Sequence, residues 1–80
     1  MKIVWDEQKR QTNLAKHGMD FADLTVEFFE EATILPANQG RFMAINVLMN
    51  GVVTVVFAYL GSEGISIISM RPASRKERSL

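Results

Sequence analysis

Asn50–Gly51 separates two long β-prone runs, Arg41–Met49 and Val52–Leu60, and no other feature constrains the fold as tightly. An Asn-Gly pair readily takes positive φ at both positions of a two-residue hairpin loop, the turn whose twist matches its flanking strands. It therefore predicts an antiparallel hairpin with Leu48 opposite Val53, Asn46 opposite Val55, Ala44 opposite Phe57 and Phe42 opposite Tyr59. Those residues share one face, and Met43, Ile45 and Val47 share the other with Thr54, Val56 and Ala58. Both faces are largely apolar, so both need a cover. Helices can supply one. For the other, two readings stand: the C-terminal segment folds back over it, or a protein partner does.

The remaining segments fit around that hairpin. Ile3–Val4–Trp5 reads as a short first strand, being β-branched and aromatic. Asp6 can cap a helix that runs to Lys16 or His17 and stops at Gly18, which suits a left-handed position. Asp20 reads as a second N-cap. Phe21, Leu24, Thr25 and Phe28 then follow i, i+3, i+4, i+7 spacing, with Asp23, Glu27 and Glu30 facing outward. Ala32–Leu35 is β-prone up to Pro36, and Asn38–Gln39–Gly40 turns the chain. Gly61–Gly64 makes a further turn, Ile65–Met70 is the last strand, and Ala73–Leu80 begins a short C-terminal helix after Pro72. The expected class is α+β, in one domain spanning 1–80.

With 80 residues, 48% of them hydrophobic and 22% charged, the chain has enough apolar side chain for a small core. There is no cysteine and only one histidine, His17. This excludes disulfide staples, thiolate metal sites, a cysteine nucleophile and the usual His/Cys zinc clusters; no metal or cofactor is expected. The nine Lys and Arg balance the nine Asp and Glu, so the chain as a whole is no strongly basic nucleic-acid binder. The charges are nevertheless segregated. Arg71, Arg75, Lys76 and Arg78 face one acid at the C-terminus, while Asp20 to Glu31 carries five acids and no base. A local basic site is compatible with zero net charge. No signal peptide is visible, and the longest apolar run, Val52–Leu60, is far short of the ~20 residues of a membrane helix. A soluble cytoplasmic protein is expected.

Two groups of residues could carry chemistry. Lys9, Asn13, Lys16 and His17 fall on one face of the first helix. Such a face suits a phosphodiester: cations hold the phosphate, an amide orients it, and an imidazole moves a proton near neutral pH. The same pattern also fits the solvated face of a surface helix, with His17 placed favourably at its C-terminus. Arg71, Arg75, Lys76 and Arg78 can bind phosphate through bidentate guanidinium contacts, or simply form a charged tail. The inferred register sets Arg71 opposite Thr54 and Arg41 opposite Leu60. Those positions are ~20 Å apart along a strand, so Arg41 and Arg71 should not grip one phosphate. The phenylalanines read as core, and Trp5 as packing.

Val4–Trp5–Asp6–Glu7, Lys9, Asn13, Lys16–His17–Gly18 and Phe21 together resemble the opening of BrnT-type toxins. The ending Ile67–Ile68–Ser69–Met70–Arg71–Pro72–Ala73–Ser74–Arg75–Lys76–Glu77–Arg78 resembles theirs as well. The resemblance covers nearly the whole chain. It implies a RelE-like fold: a short first strand, two helices, then a small antiparallel sheet of hairpin-connected strands and a short C-terminal helical segment. It also implies a metal-independent endoribonuclease that arrests translation. The partner implied is a cognate BrnA-like antitoxin, a ribbon-helix-helix DNA-binding protein, in a hetero-oligomer; a homodimer is a further possibility, and no membrane is involved.

Under that resemblance, cleavage proceeds by attack of the ribose 2′-hydroxyl on phosphorus. His17 is the expected proton-transfer residue with Lys16 beside it, and Arg71 and Arg75 are expected to hold the phosphate. Lys9, Asn13, Lys76 and Arg78 are expected to bind substrate. Glu77 is expected to orient an arginine, and Trp5, Asp6 and Asn13 to serve the architecture. Gly40, the ending Ala58–Tyr59–Leu60 and Ser66 stand where relatives carry further charged residues, chiefly arginines. Two other readings therefore stay open: a toxin-fold interaction module with weak or no catalysis, and a nucleic-acid binder without chemistry.

Overall fold

The computed structural model describes residues 1–80. In chain order the elements are β1 (Lys2–Trp5), α1 (Glu7–His17), a 3-10 turn (Phe21–Asp23), α2 (Val26–Glu30), β2 (Thr33–Pro36), β3 (Phe42–Leu48), β4 (Gly51–Leu60), β5 (Gly64–Pro72) and α3 (Arg75–Arg78). The strands form one sheet in the order β1-β5-β4-β3-β2. It is mixed: β2 to β5 are antiparallel neighbours, but β1 joins the edge parallel to β5, with Trp5 level with Ile67. The α+β class and the small sheet are as expected; the parallel edge strand is an addition.

Local chemistry explains the ends of α1. The Asp6 carboxylate accepts from the Gln8 and Lys9 amides, satisfying two of the donors a helix leaves free at its start. Gly18 sits at φ 68°, and its N–H closes the helix on the Leu14 carbonyl. The second helix differs from expectation. Asp20 caps only the 3-10 turn, Leu24 is extended at ψ 141°, and Thr25 starts α2 afresh by accepting from the Phe28 amide. A threonine placed to cap competes with its own place inside a helix, so the continuous helix breaks there. The apolar stripe survives the break: Phe21, Leu24 and Phe28 are all buried.

The hairpin also differs. Its loop is Met49–Asn50, with Met49 at φ 56°, and Gly51 already belongs to β4 opposite Leu48. Phe42 therefore pairs with Phe57 and Ala44 with Val55, a slide of two residues from the register expected of Asn50–Gly51. Packing outweighs turn chemistry here. The slide seats the Phe42 ring between Phe57 at 6.0 Å and Tyr59 at 5.0 Å, and Phe29 stands edge-on to Phe57 at 5.5 Å. A left-handed methionine costs about 1–2 kcal/mol, no more than the contribution of burying one large apolar side chain. Because the slide is even, every residue keeps its expected face.

Phe21, Leu24, Phe28 and Phe29 cover one side of the sheet over Ala44, Val53, Val55, Phe57, Ile65, Ile67 and Met70. On the opposite side α3 folds back over one end. There it buries Thr54 completely, and Ile45 is also buried. Val47 and Leu60 stay exposed on that side, so the C-terminal segment covers only part of the second face.

Candidate functional site

β1 ends level with Ile67, which leaves the outer edge of β5 unpaired from Ile68 onward. α1 takes over that edge. The buried Asn13 accepts from the Met70 N–H at 3.0 Å and donates to the Met19 carbonyl at 3.1 Å. Both ends of the amide are thus engaged within the protein. Asn13 acts as the clamp between α1 and β5, the architectural role expected of it, and it also lines the groove beside it.

The seam beside this clamp is a groove of about 290 Å³, whose lining includes Lys9, Lys16 and His17 from α1 and Ile68 and Ser69 from β5. Ile68 is the extra residue of a β-bulge, since Val56 pairs with Ser69 and Phe57 with Ile67. Bulges sharpen the local twist and re-aim side chains at strand edges. Helical spacing brings Lys9, Lys16 and His17 together as expected, and neither lysine is engaged in an ion pair. Ser69 is a groove residue that the sequence reading missed.

Arg71 follows two residues later on the same face as Ser69, ~7 Å further along the strand, and opposite Thr54 as expected. Its guanidinium meets Glu77 end-on, with Nη1 to Oε1 at 2.7 Å and Nη2 to Oε2 at 2.8 Å. Oε1 also accepts from the Thr54 hydroxyl at 2.9 Å and the Ser74 amide at 2.8 Å. The Ser74 side chain accepts in turn from the Glu77 amide, a reciprocal cap that starts α3. The Arg71 hydrogen bonds, with help from Ser74 and Thr54, hold the Glu77 carboxyl far below the usual carboxylate range. Glu77 likewise raises the Arg71 pKa. Glu77 is therefore the ion-pair partner of Arg71, with Oε1 accepting three hydrogen bonds and Oε2 one.

Arg75, Lys76 and Arg78 are exposed on α3 and make no ion pair. None of them, nor Arg71, lines the His17 groove, so the structure does not bring the terminal arginines and the imidazole into one groove. The two groups are adjacent stretches along β5, bridged by Ser69. Arg41 is level with Ala58 in the observed register, four residues from Thr54 rather than six. It still stands ~13 Å from the Arg71 position along the strand. Arg10 is fully occupied as architecture: it pairs with Glu7 through two nitrogens and reaches Asp20 at 3.0 Å, tying α1 to the 3-10 turn. Trp5 packs edge-on against Phe21 at 6.2 Å, as expected. No group of three or more His, Cys, Asp or Glu side chains is placed to hold a metal ion. No helix is long and apolar enough to cross a membrane.

A family model described as the ribonuclease toxin BrnT of a type II toxin–antitoxin system matches residues 5–77. The crystal structure of the Brucella abortus ribonuclease toxin BrnT is similar at 54% identity and a TM-score of 0.87, covering 94% of this chain and 99% of that one. No functionally curated protein matches the sequence. The matched span takes in both the α1 groove and the Arg71–Glu77 pair, and the chain belongs to the BrnT family of ribonuclease toxins of type II toxin–antitoxin systems.

Proposed function

We propose that this chain cuts RNA by attack of the ribose 2′-hydroxyl on the neighbouring phosphorus, with the α1–β5 groove and Arg71 as its site. The observation that carries this reading is the lone imidazole, His17, beside two unpaired lysines in a groove whose far wall leads within two residues to Arg71. The 2′-hydroxyl gives up its proton as the O2′–P bond forms, and the 5′-oxygen takes one as its bond to phosphorus breaks; His17 is the proton-transfer residue, and Lys16 and Lys9 hold the phosphodiester. Arg71 steadies the charge that develops at phosphorus, and Arg75, Lys76 and Arg78 draw in the flanking phosphates. The nucleophile belongs to the substrate, so this route asks only for proton transfer and cations. Such a toxin acts where its RNA is, in the cytoplasm. Its partner is a cognate antitoxin, which we infer to be BrnA-like with a ribbon-helix-helix DNA-binding domain.

A second reading has its own support. His17 and the terminal arginines do not share a groove, which favours a toxin-fold interaction module that binds its antitoxin without cutting RNA.

Cleavage of a labelled RNA by wild type, His17→Ala and Arg71→Ala, each shown to be folded, separates the two. The proposal expects products ending in 2′,3′-cyclic phosphate and losses on the order of 10²-fold or more for each variant. Equal cutting by all three proteins removes the assigned residues. Antitoxin binding with no cutting by wild type establishes the module.

A further inference from the structure

Thr54 is the one break in the apolar run Val52–Leu60, and it lies at 0% exposure in the middle of β4. A buried hydroxyl is costly unless it is hydrogen-bonded. This one donates to Glu77 Oε1 at 2.9 Å. The same oxygen accepts from Ser74 N and Arg71 Nη1, so the carboxylate is fixed from three directions. That fixity decides how Arg71 is used. A guanidinium offers two bidentate forks, one end-on through Nη1 and Nη2 and one sideways through Nε and a single Nη. Glu77 fills the end-on fork, and Nε has no partner in the protein. The Arg71 side chain is 35% exposed. A Glu77 carboxylate free to pivot could instead reach Nε and close the sideways fork.

We propose that Thr54 is a positioning residue for RNA cleavage: its buried hydroxyl holds Glu77 end-on, so that Arg71 keeps its Nε fork for the phosphate. The inference rests on the cleavage reading given above. It predicts that Thr54 acts only through Arg71.

The test is a double-mutant cycle of Thr54→Val and Arg71→Ala on RNA cleavage, with Thr54→Ser as the conservative control. Thr54→Val matches the shape and removes only the donor. Its kcat/KM should fall on the order of tenfold, and Thr54→Ser should restore most of it. In the Arg71→Ala background, Thr54→Val should change kcat/KM less than twofold. The same tenfold loss in both backgrounds overturns the proposal and leaves Thr54 a merely structural residue. A second readout needs no activity: the Arg71 Nε–H resonance in ¹⁵N-labelled protein. It should move and exchange more slowly with water in Thr54→Val, and more nearly as in wild type in Thr54→Ser. An unmoved resonance overturns the positioning role even where wild type cuts RNA. Absence of cutting by wild type overturns the cleavage reading instead, whatever the resonance does. Should Thr54→Val not fold, Thr54→Ala carries the test: it also removes the hydroxyl, so its Nε–H resonance must move in the same direction, and an unmoved resonance overturns the proposal.

Discussion

Removing the Asn13 amide tests whether α1 is held to β5 by that side chain or merely lies against it. Asn13→Ala leaves the Met70 N–H, in a residue only 2% exposed, without an acceptor, and the Met19 carbonyl without a donor. An unsatisfied buried group costs about 1–3 kcal/mol. Met19 is only half-buried, so water can replace part of its bond. The sum is on the order of 2–3 kcal/mol, which lowers Tm by roughly 10–20 °C in a domain of this size. Urea unfolding followed by far-UV circular dichroism measures it directly. Asn13→Asp keeps the acceptor for Met70 but sets a carboxylate oxygen against the Met19 carbonyl in a buried position, so at neutral pH it should destabilise at least as much as Asn13→Ala. A change below about 0.5 kcal/mol for Asn13→Ala, within the range of ordinary surface substitutions, refutes the clamp. If such a stable variant also lost RNA affinity, the amide would be a substrate contact after all.

Two further outcomes follow from the geometry. Met49 is 72% exposed and left-handed, so Met49→Gly removes backbone strain while giving up little packing, and thermal unfolding should show a gain of about 1 kcal/mol. Glu77 has its pKa depressed by Arg71, and Arg10 holds Glu7 down to about 2. Groups with a lowered folded pKa contribute stability that is complete above their unfolded pKa, near pH 4.5, and is lost as pH falls toward the folded value. Wild type should therefore lose stability steadily below about pH 4.5, and Glu77→Gln should be less stable at neutral pH with a shallower acid slope, read from urea midpoints across pH. An unchanged slope in Glu77→Gln removes that carboxylate from the acid response.

How far each feature could be read from the chain depends on how distant its deciding partner is. The caps of α1 depend on Asp6 and Gly18 alone, and both act as expected. The Lys9, Lys16 and His17 face needs only the helical repeat, so it too was legible. The opposition of Arg71 and Thr54 depends on more than the turn between β4 and β5: the turn sets Leu60 against Gly64, and the extra residue Ile68 then shifts the pairing by one to bring Arg71 opposite Thr54. The hairpin register failed because its arbiter was the contact among Phe29, Phe42 and Phe57, drawn from three elements, and not the residues of the loop.

Asn13 is the sharpest case. Its spacing with Lys9 and Lys16 is that of a substrate contact, yet its role is decided by where β1 stops along β5, a parallel pairing of residues about sixty positions apart. Nothing local reports that the Met70 N–H will stand at an uncovered edge. Thr54 lies between these limits. A lone hydroxyl in an apolar strand is visible, and burial obliges it to find an acceptor. The serine and glutamate three residues apart at Ser74 and Glu77 mark a cap. What joins the two is the fold-back of α3, a tertiary event. The sequence can therefore name the groups that must be satisfied before it can say which will satisfy which, and in this chain that second step sets the geometry of the Arg71–Glu77 pair.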